Sequence, residues 1–172
     1  MVGGVVNCSI SQAPITFVEV EGDEPTWYVA HCEANRIIAP LPLVNGHYLW
    51  LYNLLGLRRK ERYLATLEYR YTYQATEDPD SWIFRYEYER EPGENYSYAN
   101  AHVHVNGAPG TYQGAKAFPA LHLPTGPRVT IEQVVRHLIS EHGVNPISEN
   151  WDETCKQAEA HFEEIQRKRF KR

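Results

Sequence analysis

The chain has 172 residues, a length that fits one domain with a core of its own. Net charge is −5 at pH 7, and five cations crowd into the last six residues, RKRFKR, so the remainder is twice as negative as the whole. An acidic body of ordinary hydrophobicity excludes a general nucleic-acid-coating protein, and no apolar run nears the roughly eighteen residues that cross a bilayer.

Cys8, Cys32 and Cys155 are odd in number and widely spaced, which fits neither a disulfide framework nor a zinc finger. The opening MVGGVVNCSI lacks the basic start of a secretory leader. These features predict a cytoplasmic protein with no membrane segment. The basic tail suits phosphate contacts, a solubilising end or the dipole of a helix C-terminus.

In chain order, ITFVEVEGDEPTWYVAHC predicts two short strands around the turn EGDEP. NRIIAPLPLVNG continues as a short apolar strand broken by Pro40 and Pro42. HYLWLYNLLGL has the length of a helix, but its aromatic content favours a strand. In RYLATLEYRYTYQ, Leu67, Tyr69, Tyr71 and Tyr73 alternate with Glu68, Arg70 and Thr72, the period of a half-buried strand. After the turn ATEDPDS, WIFRYEYER sets Trp82, Phe84, Tyr86 and Tyr88 on one face and Arg85, Glu87 and Glu89 on the other. YANAHVHV is a third strand, with Ala101, Val103 and Val105 opposite His102 and His104. NGAPGTYQGAKAFPALHLPTGP is rich in Gly and Pro and reads as a loop with one short strand near AFPALHL.

TIEQVVRHLISEHG predicts a helix with a Thr130–Gln133 capping box, a Gly143 stop and a stripe of Ile131, Val134, Val135, Leu138 and Ile139. WDETCKQAEAHFEEIQRKRF predicts a second helix that buries Trp151, Cys155, Ala158, Phe162 and Ile165. The expected architecture is a single α+β domain over residues 1–172: an antiparallel meander packed on one face by two C-terminal helices. The other face is expected to be open and to carry the charged residues and the histidines.

Histidine serves readily as acid, base or metal ligand near neutral pH. On a strand, residues two apart project the same way at about 6.5–7 Å. That spacing suits His102 and His104 on either side of a phosphate, with Arg85 and Glu87 as cross-strand neighbours. His122 follows in a Pro/Gly-fixed segment and, with His102 and His104, would complete a three-histidine metal site. Exposed strand positions also take His, Arg and Glu without any function, so a plain solvated face is the competing reading. His137 and His142 have ordinary helix-surface explanations, and His31 and His47 carry no further signal. The tyrosines read as sheet packing rather than stacking platforms. H-E-x-x-H, G-x-S-x-G and P-loop patterns are absent.

YRYTYQ, a polar turn, WIFRYEYE, then HVHV and a helix beginning TIEQVVRHLI resemble the TumE-type family of small bacterial toxin-like proteins, from about Arg62 to Ser140. The chain departs from that family's pattern in the inserted YEREPGENYSYANA and in Val103 between the two histidines. The resemblance implies a toxin with an antitoxin or other protein partner, acting on RNA. It highlights Arg85, Tyr86, Glu87, His102 and His104, and then His122. The leading expectation is therefore a ribonuclease that needs no cofactor or metal. His102 and His104 act as base and acid, Arg85 steadies the phosphate charge, Glu87 joins the catalytic set, and Tyr86 and His122 bind substrate. A non-enzymatic interaction protein and a histidine metal-binding protein are the alternatives.

Overall fold

The computed structural model describes residues 2–22, 25–34, 38–58, 63–93, 97–106 and 121–170, without the side chains of residues 58, 121, 122 and 165–170. Eight strands form one antiparallel sheet: β1 (Ile15–Val20), β2 (Thr26–His31), β3 (Leu41–Pro42), β4 (Tyr48–Arg58), β5 (Tyr63–Gln74), β6 (Trp82–Glu89), β7 (Ala101–Val105) and β8 (Leu121–Pro124). The order is β1-β2-β4-β5-β6-β7-β8, and β3 extends the β2 edge of β4. Three helices accompany the sheet: α1 (Val2–Ser9), α2 (Ile131–His142) and α3 (Trp151–Phe170). The α+β meander with two C-terminal helices is thus the observed architecture. Most of the Gly/Pro-rich stretch before β8 lies outside the described residues.

Alternation along the long strands builds the core. Leu49, Leu51, Tyr71, Tyr73 and Phe84 are nearly inaccessible and pack against Val134, Val135 and Leu138 of α2. The register stacks these residues in rows, Leu51 beside Tyr71 beside Tyr86 beside Val103. HYLWLYNLLGL is therefore a strand, because its apolar side chains find partners on a pleated surface.

The α2 caps form as the sequence requires. Thr130 Oγ1 accepts from the Gln133 amide at 3.3 Å, and Gln133 Oε1 accepts from the Thr130 amide at 2.9 Å. Gly143 ends the helix at φ 63°, the left-handed region. On α3, Cys155 and Ala158 are buried as expected, but Phe162 is 39% exposed, and the Ile165 side chain lies outside the described residues. Arg136 of α2 ties α3 down through Asp152 at 3.1 Å and through Glu159.

α1 was not expected, since VGGVVNCS carries two glycines, three β-branched valines and no strong helix former. Tertiary contacts hold it. Val5, Val6 and Ile10 are buried to 1% or less. Its last carbonyls are satisfied from outside: the Ile147 amide donates to Ser9 O at 2.9 Å, and the Ser148 amide to Cys8 O at 3.1 Å.

His137 and His142 do not lie on a plain helix surface. His137 stacks on Phe84 at 4.9 Å, and His142 meets Tyr73 and Phe84 at 4.9 and 5.1 Å.

Candidate metal centre

Three strands contribute side chains to one cluster on the sheet face away from the helices. The β6–β7 register sets Glu87 opposite His102 and Arg85 opposite His104, and the β5–β6 register sets Arg70 opposite Glu87. Because side chains on paired positions share a face, Arg70, Arg85, Glu87, His102 and His104 converge.

The convergence is close. His104 Nε2 lies 2.8 Å from His102 Nε2 and 2.8 Å from Glu87 Oε2, and His102 Nε2 lies 3.5 Å from the same oxygen. The Ala99 carbonyl accepts from His102 Nδ1–H at 2.8 Å, which in the neutral ring leaves the lone pair on Nε2, facing the cluster. Glu87 Oε1 has Arg70 Nε at 2.7 Å and Arg85 Nε at 2.9 Å. Both are ion-pair contacts, and neither has the alignment of a hydrogen bond. The Arg85 guanidinium also lies over the Trp82 ring at 5.3 Å, so Trp82, expected on the face of Phe84, turns to the side of Arg85 where the β5–β6 register shifts, and Ile83 packs on the core instead.

Two expectations change here. The histidines are not on a wet face: His102 is 2% and His104 6% exposed. Tyr98, in the segment that enters β7, covers them, with its ring 5.5 Å from His102 and 6.2 Å from His104. Nor do the rings stand about 6.5–7 Å apart as simple strand spacing gives. They lean together to a centroid distance of 4.7 Å, and no phosphate fits between nitrogens 2.8 Å apart.

Tyr86 is placed away from the cluster. It alternates with Arg85 and Glu87, so its ring lies on the helix side and its hydroxyl meets His137 Nδ1 at 2.8 Å. Burial raises the Tyr86 pKa above 10. The backbone of His122 pairs with His104 across β7 and β8, but its side chain lies outside the described residues. Arg70 was missed, although its alternation in RYLATLEYRYTYQ put it on the polar face with Glu87. The Ala99 carbonyl and Tyr98 left no comparable mark in the sequence.

Among the described residues, Glu87, His102 and His104 are the group whose donors could hold a metal ion. Bonds of about 2.0–2.2 Å to one ion, at angles between square and tetrahedral, give donor–donor edges of about 2.8–3.6 Å. The observed edges, 2.8, 2.8 and 3.5 Å, fall in that range. A backbone carbonyl on the far nitrogen of a ligating histidine is the usual outer support of such a centre. Compared with family models, curated proteins and solved structures, the chain gives no match.

Proposed function

We propose that the protein is a divalent-metal phosphodiesterase acting on RNA, with Glu87, His102 and His104 as the ligands. The observation that carries this reading is the meeting of two Nε2 atoms and one carboxylate oxygen within 3.5 Å. A two-histidine, one-carboxylate set suits zinc or another first-row divalent ion. Bound there, such an ion lowers the pKa of a water ligand and polarises a phosphoryl oxygen. Arg70 and Arg85 flank the centre and keep guanidinium nitrogens beyond the Nε atoms that face Glu87, so they can clamp the phosphate oxygens. The toxin-like setting, with an antitoxin as protein partner, rests on the resemblance of residues 62–140. The acidic body favours a short or structured RNA over a long one.

A metal-free ribonuclease is the second reading, because the same 2.8 Å contacts also suit hydrogen bonds. His102 and His104 would then share a proton beside Glu87 and act in turn as base and acid.

One experiment separates the two. Protein purified without a histidine tag is analysed for metals and then mixed with cellular RNA, with and without EDTA, beside the His102→Ala/His104→Ala double variant. About one metal ion per chain, with cleavage lost in EDTA and in the variant, supports the metal reading. Cleavage that survives EDTA but not the substitutions moves the assignment to acid–base chemistry. Metal binding without RNA cleavage removes the phosphodiesterase and leaves a metal-binding protein.

A further inference from the structure

On the other side of the sheet, between β4, β5 and the helices, lies a cavity of about 680 Å³. Its walls are mostly apolar, Val29, Leu55, Ile131 and Phe162 among them. That size and lining match a small-molecule site. Two polar groups in the wall bear on what it holds: Asn53, with an oxygen left unpaired, and Glu132, an acid whose place in the first turn of α2 the helix dipole already favours. Asn53, on β4, is 9% exposed, and its Oδ1 is buried without a hydrogen-bond partner. Its Nδ2 reaches only the Tyr71 hydroxyl, at 3.5 Å. Glu132, in the first turn of α2, is 8% exposed and forms no ion pair among the described residues.

The unpartnered Asn53 oxygen is costly unless a ligand completes it, and the Glu132 carboxylate lines the same cavity and adds a negative charge to it. Both are acceptors, so the missing partner is a donor, and the carboxylate asks for a positive one. Arg128 also lines the cavity; its guanidinium lies over the Tyr88 ring, 5.2 Å from the centroid, and its charge is felt at the Tyr69 and Tyr71 hydroxyls, but it forms no ion pair with Glu132 among the described residues. Tyr69 is engaged as well, since its hydroxyl accepts from the Val129 amide at 2.8 Å.

We propose that this cavity binds a small aromatic or aliphatic amine. The apolar body lies between the sheet and α2, and the protonated nitrogen donates to Asn53 Oδ1 and to the Glu132 carboxylate. The site is separate from the Glu87–His102–His104 cluster and stands whether or not that cluster binds metal.

The test uses the full chain and ring-matched probes: tryptamine against indole-3-propionate and uncharged 3-ethylindole, and phenethylamine against 3-phenylpropionate and uncharged ethylbenzene. Binding is read by saturation-transfer NMR and by the shift in thermal midpoint. At least one amine is expected to bind ten times more tightly than its matched acid and its uncharged counterpart. Glu132→Gln, which keeps the shape of the side chain, is expected to abolish that preference. Asn53→Leu, checked by circular dichroism for a native fold, is expected to weaken the amine tenfold and leave 3-ethylindole unaffected. Equal binding of amine and acid, a preference for the acid, or no binding by any amine overturns the proposal. So does an amine preference that Glu132→Gln leaves unchanged.

Discussion

Tyr86 and Glu87 are neighbours in the chain and lie on opposite faces of the sheet, so substitutions one residue apart have different consequences. Tyr86→Phe removes a hydroxyl contact to His137 and is expected to cost about 1 kcal/mol of stability. Metal content and RNA cleavage should stay at the wild-type level, and their loss would place Tyr86 in the site after all. Arg85→Gln keeps the three donors and removes one cation beside them. Turnover should fall about 10²- to 10³-fold while the metal stays bound, as metal analysis of the variant would show. A third residue-level effect comes from His137 and His142. Burial lowers the pKa of both from 6.5; Glu141 opposes this at each, and His137 and His47 add to it at His142. A depressed histidine pKa means the unfolded chain takes up protons first. Stability is therefore full above about pH 6.5 and is lost as pH falls from there through the folded-state values. Thermal midpoints measured in EDTA from pH 7.5 to 5 should fall, and His142→Gln should flatten the fall.

Strands β5 to β7 and helix α2 could be drawn from the sequence because their side chains keep one period over most of their length, whereas β4 read as strand only by its aromatic content and its register slips at Leu54/Leu55. Tyr69, Tyr71 and Tyr73 face the core in the order their alternation gives. Thr130→Ala tests the cap that was equally legible, with an expected loss of about 1 kcal/mol in denaturant unfolding. α1 was not legible for the opposite reason. Its local preference is poor, and burial of Val5, Val6 and Ile10 against distant elements makes it helical. Ile10→Ala should accordingly cost about 2–5 kcal/mol, far beyond what helix propensity gives. A loss under 1 kcal/mol would show that α1 is loosely attached.

At the scale of the molecule, the sheet divides two kinds of chemistry: titratable and charged side chains on one face, and a cavity under helices on the other. The membership of the polar face was readable from alternation. Its closeness was not, because the lean of His102 towards His104 depends on the Ala99 carbonyl and the cover of Tyr98, neither of which has a sequence signature. The closure of α1 has a consequence of its own. Its final carbonyls accept from Ile147 and Ser148, near the far end of the chain. On the ribosome the first helix emerges long before the segment that completes it, and the strands must align in between. Residues 2–9 should therefore stay open to proteases in every nascent chain that stops short of α3, and become protected only once Ile147 and Ser148 have cleared the ribosome.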